Sequence, residues 1–297
     1  MDDKTKVLII YVNYNTIPDL KKSICSFSED VDFYDISYLV VDNNSIDQNF
    51  DCLNKCTKHS VEIVKLDFNV GFAAANNIGI KYAKDNDYDY YLLLNCDTLV
   101  TTNFVKKLLY VIMSDLNIGL VSSRIVYNFD KKSICYDGGK VNSYKGSVDL
   151  QNYLCDYNRL STSTIETSFA SGCCMLIPTK LDIKMSEDYF LYYEDTDFSN
   201  RILEKNLKIV IARDVILYHT ESVSTKKKSN LYSYYFSRNR LIFIRDNVFG
   251  LKKYVAYTYS ILWIIKKIIC KTFNIKYSII GVNDFLKNKR GKRAGLK

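Results

Sequence analysis

Four short apolar runs in the first hundred residues constrain the architecture most: VLIIYV at 7–12, YLVVD at 38–42, VEIVKL at 61–66 and YYLLLN at 90–95. Uninterrupted runs rich in Val, Ile, Leu and Tyr read as strands buried on both faces. Helical patterns over 18–27, 73–84 and 103–114 alternate with them. Strands joined by helices pair in parallel, with helices covering both faces of the sheet. The chain is therefore predicted to be α/β, with a mainly parallel sheet flanked by helices.

In such a sheet a ligand sits beyond the carboxyl ends of the strands, so the polar residues after each run carry the chemistry. Asn13, Tyr14 and Asn15 follow the first run, and Asp42, Asn43, Asn44 and Ser45 the second. Asn69 and Gly71 follow the third, Asn95 and Asp97 the fourth. Any one of these is an ordinary turn or cap residue; four strand ends in succession point to a pocket. Asp42 offers an acceptor to a base edge or ribose hydroxyl, and Asn13, Asn15 and Asn44 offer amides. Asp97 is placed to hold Mg2+ or Mn2+, with diphosphate oxygens and water completing the shell. His219, after VILY at 215–218, is a candidate second ligand.

The second half is less regular. Residues 136–159 read as loop-rich, SGCCMLIP at 171–178 as a buried strand ended by proline, and 208–214 as a strand. FLYYEDTDFSNRILEKN at 190–206 reads as a strand end entering a helix, with Asp195 or Thr196 near the N-cap and Asp197 spaced to pair with Arg201. Glu194 and Asp195 are then adjacent carboxylates at a helix N-terminus, where exposed amides favour the anion; a charged carboxylate there can act as a base. The stretch YSYYFSRNRLIFIRD at 232–246 sets Arg238, Arg240 and Arg245 among aromatics. They read either as forks for diphosphate oxygens or as the snorkelling arginines of an amphipathic helix.

With 47% hydrophobic and 25% charged residues, the chain can bury a full core. Charge is uneven: residues 250–297 hold 12 Lys/Arg against the single Asp284, leaving the first 249 about −3 within a formal +8. We divide the chain at that point, into a body at 1–249 and a basic, amphipathic helical segment at 250–297. A basic and apolar tail suits an anionic membrane surface better than nucleic acid. The longest uncharged run there, 254–265, is too short to span a bilayer. Nine cysteines without a C-x-x-C pair and an opening without an apolar signal region predict a reduced, cytoplasmic protein.

Taken together, VNYN at 12–15, VVDNNSID at 40–47, NVGFAAANN at 69–77, LLLNCDT at 92–98, SGCCMLI at 171–177, YYEDTDFSNRI at 192–202 and YYFSRNRLIFIRD at 234–246 closely resemble glycosyltransferase family 2, and GVNDFLKNKRGK at 281–292 resembles its bacterial rhamnosyltransferase-like branch. The resemblance implies a GT-A (Rossmann-like) fold, a nucleotide-sugar donor, a divalent metal and an inverting single displacement. Carried over, Asp42 contacts the nucleoside; Asn69, Gly71 and Asn77 shape the donor pocket, to which Asn13, Tyr14, Asn15, Asn44, Asn95 and Arg238 are also assigned. Asp97 binds metal, with His219 a possible further ligand, and Asp195 is the catalytic base with Glu194 beside it. The family's usual N-P-D-T is here Asn95-Cys96-Asp97-Thr98, and Ala75 stands where glycine is common. The implied acceptor is a glycan, lipid-linked, at the inner face of the cytoplasmic membrane. dTDP-rhamnose is the first donor expected and a UDP-hexose the second; a degenerate membrane scaffold is the non-enzymatic alternative.

Overall fold

The computed structural model describes residues 4–28, 34–47, 49–220 and 229–296. The first half runs β1 (Thr5–Asn13), α1 (Ile17–Cys25), β2 (Tyr34–Asp42), β3 (Val61–Lys65), α2 (Phe72–Asp85), β4 (Tyr90–Leu94), β5 (Thr98–Val100) and α3 (Phe104–Met113). The rest runs β6 (Ile118–Tyr127), β7 (Ile134–Tyr136), β8 (Gly139–Asn142), β9 (Ser147–Leu150), β10 (Ile165–Thr167), β11 (Cys174–Pro178), α4 (Glu194–Glu204), β12 (Lys208–His219), α5 (Asn230–Asn247), α6 (Leu251–Ile269) and α7 (Ile275–Leu286).

The main sheet has the order β10-β12-β6-β11-β4-β1-β2-β3, with β5 pairing β12 and β7 pairing β6. Strands β3, β2, β1 and β4 are mutually parallel, as the alternating pattern requires. Strand β11 runs antiparallel to both β4 and β6. Successive side chains of β1 enter opposite layers. Val7, Ile9 and Tyr11 join one core with Leu20 of α1 and Leu108 of α3; Leu8 and Ile10 join the other with Ala83 of α2 and Phe198 of α4. Double burial explains the unbroken apolar runs of β1, β2 and β4, whereas β3, at the sheet edge, exposes Glu62 and Lys65; each large aliphatic buried in this way contributes about 1.5–3 kcal/mol.

Three readings need correction. Residues 136–159 are not merely loop, because β8 and β9 pair there as a hairpin. The helix after residue 190 begins at Glu194, one residue before the expected cap region, with Tyr193 as N-cap. The cysteines are not all free: Cys25 is disulfide-bonded to Cys56, their Cα atoms 4.8 Å apart, because the end of α1 and the segment before β3 both pack on the core under β2. Cys173 and Cys174 are buried core residues.

The C-terminal segment packs back on the body. Gly281 of α7 lies so close to α5 that a Cβ would stand 2.6 Å from the Tyr234 carbonyl oxygen. Beyond α7, Gly291 N–H donates to Asp188 O (2.8 Å) and Lys292 Nζ to Asn69 O (2.6 Å). Helix α6 buries Ala256, Ser260 and Ile264 and leaves Leu251, Val255, Leu262, Ile265 and Ile269 exposed on its outer side. Among the described residues no helix is long and apolar enough to cross a membrane.

Candidate active site

The polar residues that end β1 and β2 form one network. Asp42 is fully buried; its Oδ1 accepts from Asn13 Nδ2 (2.8 Å) and Ser45 Oγ (2.6 Å), and its Oδ2 from Ser45 N–H (3.1 Å). Asn15 and Asn44 both take left-handed backbone conformations, at φ 58° and 67°, which asparagine tolerates better than most residues. Asn15 Oδ1 accepts from Ile46 N–H (2.8 Å), closing the two turns on each other. Tyr14, Asn15 and Asn44 remain exposed at the rim.

Asn43, quoted among the strand-end residues without a role, is the link to the next loop. Its Oδ1 accepts from Val70 N–H (2.8 Å) and its Nδ2 donates to Gly71 O (3.3 Å). Asn69 Oδ1 accepts from Gly71 N–H (2.9 Å). Gly71 has φ 94°, and a Cβ would stand 2.6 Å from the Phe190 ring and 2.7 Å from its carbonyl oxygen. Glycine is therefore required twice over, by conformation and by space. Asn77 is drawn elsewhere: its amide donates to Met185 O and Glu187 Oε1, both at 3.0 Å, and bonds Met185 N–H through Oδ1. It braces the 185–187 segment and does not open into a pocket.

The metal candidates converge. Antiparallel pairing of β5 with β12 sets Thr98 opposite His219, and Asp97, one residue earlier, lies 3.3 Å from His219 Nε2 through Oδ1. Burial works against a charge on His219, but hydrogen bonds from Asp97 and Cys135 outweigh it and raise its pKa to about 10. The Asp97 carboxylate suits Mg2+ or Mn2+, and His219 could join it only by giving up the proton that Asp97 now stabilises. Among the described residues no group of three His, Cys, Asp or Glu side chains forms a ready cage. Asn95 contributes its backbone, N–H to Cys173 O at 3.1 Å.

Residues 172–173 join this turn to the carboxylate pair. While Cys173 O holds Asn95, the neighbouring Gly172 N–H donates to Asp195 Oδ2 (3.3 Å). Asp195 Oδ1 accepts from Thr196 N–H (2.7 Å) and Thr196 Oγ1 (3.2 Å). The helix-end amides do not act alone: burial raises the Asp195 pKa despite them, and burial plus the Asp195 charge raises that of Glu194 well above the carboxylate range. Glu194 Oε2 is buried without a hydrogen-bond partner. Asp197 pairs with Arg201 at 2.7 Å, as its spacing predicted.

The arginines of α5 are each engaged by partners within the fold. Arg238 is 1% exposed, stacked on Tyr234 and Tyr235 and bonded to Tyr234 Oη (3.1 Å) and Asn239 Oδ1 (2.9 Å). Arg240 donates to Ser260 Oγ (2.8 Å) and Lys145 O (2.6 Å), with Trp263 against its guanidinium. Arg245 bonds Asp246 and Asn288. The snorkelling alternative fails for Arg238 and Arg240, which are 1% and 2% exposed; Arg238 keeps its Nη2 buried without a hydrogen-bond partner.

Known proteins resemble this chain in sequence and in fold. The family described as glycosyl transferase family 2 matches residues 8–185. The chain is 25% identical to the low-salt glycan biosynthesis hexosyltransferase Agl10 of Haloferax volcanii, over 96% of this chain and 92% of that protein. It is 23% identical to the dTDP-rhamnosyl transferase RfbF of Shigella flexneri, over 82% of this chain and 81% of that one. Among solved structures, GalNAc-T7 with UDP, GalNAc and Mn2+ superposes with a TM-score of 0.54 at 13% identity, over 97% of this chain, which spans 59% of that protein. S. aureus TarS 1–349 in complex with UDP superposes with a TM-score of 0.53 at 16% identity, over 86% of this chain and 70% of that one. The fold is accordingly GT-A, and with more than half its length matched, the chain belongs to glycosyl transferase family 2 and is an enzyme of that family.

Proposed function

We propose that the enzyme transfers a single sugar from a nucleotide-diphosphate donor to a hydroxyl of a glycan acceptor, with inversion at the anomeric carbon. The observation that carries this reading is the bridge at 172–173, which ties the Asp97–His219 pair to Asp195. Asp195 has the partly open surface a base needs to meet an acceptor. As the acceptor oxygen attacks the anomeric carbon, Asp195 takes its proton and the nucleoside diphosphate leaves from the opposite face. Asp97 and His219 would hold Mg2+ or Mn2+, which supplies charge neutralisation to the departing diphosphate when bound. The Asn13–Asp42–Ser45 network underlies the nucleoside, and Asn69 and Gly71 border the sugar diphosphate.

For the donor we propose dTDP-rhamnose, on the similarity to RfbF over most of both chains. A UDP-hexose is the second reading, supported by the hexosyltransferase similarity and by UDP in the GalNAc-T7 and TarS structures. The acceptor we assign is a lipid-linked glycan of bacterial surface polysaccharide, O-antigen or capsule. It would be met where the basic C-terminal helices lie on the anionic inner face of the cytoplasmic membrane. Thermal stabilisation by a panel of nucleotide sugars with and without Mn2+ tests the donor: a shift confined to dTDP ligands supports rhamnose, a UDP-confined shift replaces it, and no shift at all sinks the reading.

A further inference from the structure

Helix α5 carries a polar triplet, Arg238-Asn239-Arg240, at positions that the transfer chemistry leaves without a task. Its middle residue is fully buried and reaches the chain just before the carboxylates: Asn239 Nδ2 donates to Leu191 O at 2.8 Å and to Tyr192 O at 2.9 Å. That stretch cannot hold itself by regular bonding. Tyr192 and Tyr193 lie consecutively in the left-handed region, at φ 67° and 74°, a conformation that disfavours bulky side chains. It turns the chain so that α4 starts at Glu194.

We propose that Asn239 is a positioning residue, clamping the left-handed turn so that Glu194 and Asp195 face the reacting groups. This rests on the reading of Asp195 as base. The group needed is a planar amide with two N–H donors for two adjacent carbonyls and one acceptor left over. Arg238 Nε fills that acceptor at 2.9 Å, which sets the amide with both hydrogens toward the turn. Arg238 is in turn held by the rings of Tyr234 and Tyr235. A second tie comes from Tyr193, whose hydroxyl donates to Gly146 O at 3.1 Å. Aspartate keeps the size of Asn239 but has no N–H to offer, so it sets acceptor against acceptor.

The test compares wild-type full-length protein with Asn239→Ala and Asn239→Asp in three measurements: backbone amide exchange at 190–196, binding of the nucleotide sugar, and transfer kinetics. We expect exchange to speed up at 190–196 with the central strands unchanged, donor affinity and KM to stay put, and kcat to fall about a hundredfold, the size of effect that small misplacement of a catalytic group produces. Wild-type exchange at 190–196 in both variants overturns the clamp, as does faster exchange with kcat intact. A wild-type enzyme that transfers no sugar overturns the assigned activity instead, and the exchange comparison still decides the clamp.

Discussion

His219 Nε2 lies 3.3 Å from Asp97 Oδ1, held there by the antiparallel register that pairs Thr98 with His219. Two elements far apart in sequence thus deliver a carboxylate and an imidazole to one point at the strand ends. Either residue alone would be an unremarkable polar group.

If this pair holds the metal, Asp97→Ala should abolish the response to Mn2+. His219→Ala should raise the Mn2+ concentration for half-maximal transfer by roughly tenfold to a hundredfold. A Mn2+ titration of the transfer rate, paired with Mn2+-dependent thermal stabilisation, checks both. An unchanged half-maximal concentration in His219→Ala removes His219 from the ligand set.

The buried acids give stability a direction in pH. Burial raises the Glu194 pKa well above its ordinary range and raises that of Asp195 as well. Below the unfolded glutamate value of about 4.3 both states hold the proton and nothing is lost. As pH climbs from there through the raised folded values, only the unfolded chain releases protons freely, so the folded state loses ground. Glu194→Gln cannot ionise and should melt higher than wild type at neutral pH, by about 2–4 °C for each kcal/mol relieved. The gap should close toward pH 4. Melting curves across that interval check it, and equal curves at neutral pH defeat it. In the wild type, transfer should rise over the same interval as Asp195 ionises.

Sequence pattern made the nucleotide-binding half legible because its strands are buried on both faces, and because polar residues at their ends have little else to do. Asp97, Asp195 and His219 were singled out on those grounds together with the family motifs, and the structure brings Asp97 and His219 within 3.3 Å. What escaped was set by partners distant in sequence. Asn77 looks like a pocket residue until Met185 and Glu187 take its amide. Arg238 reads in sequence as a phosphate fork, and only the fold shows Asn239 and Tyr234 taking its Nε and Nη1. The upward pKa shifts of Glu194 and Asp195 were not legible, because helix-end amides are visible in sequence whereas the depth of burial is not. Asn239 was in plain view within SRNR, but nothing in the pattern says that an α5 amide meets the carbonyls of 191 and 192.

A buried ion triad lies behind β6. Asp137, fully buried, accepts from Arg124 Nε (2.9 Å), Arg213 Nε (3.0 Å) and Asn152 Nδ2 (2.7 Å). Removing the carboxylate strands two guanidiniums without a counter-charge, one of them wholly inside. Asp137→Ala should therefore cost about 3–5 kcal/mol, the range for breaking one side of a buried pair. Urea unfolding measures this. A loss below about 1 kcal/mol, the typical worth of a surface ion pair, would show that water reaches the triad.

The outer face of α6 yields the last prediction. Leu251, Val255, Thr258, Leu262, Ile265 and Ile269 recur at alternating spacings of four and three, one stripe of a helix with 3.6 residues per turn. Ala256, Ser260 and Ile264 occupy the opposite side, packed on the body, so the stripe points away from the protein. Lys252 and Lys266 are exposed on the same helix, and the exposed Lys271 and Lys276 follow. An apolar stripe facing outward with lysines beside it matches a helix lying in the headgroup layer of an anionic bilayer. The full-length protein should therefore co-sediment with vesicles rich in phosphatidylglycerol, more weakly as salt rises. Leu262→Glu with Ile265→Glu should abolish sedimentation, and each exposed lysine changed to Gln should weaken it about fivefold, from roughly 1 kcal/mol per basic residue. Both glutamates replace exposed side chains, so melting temperature should hold steady. Transfer to a water-soluble acceptor should persist in the double variant while transfer to a vesicle-borne acceptor falls. Wild-type sedimentation by that variant would assign the stripe to another partner.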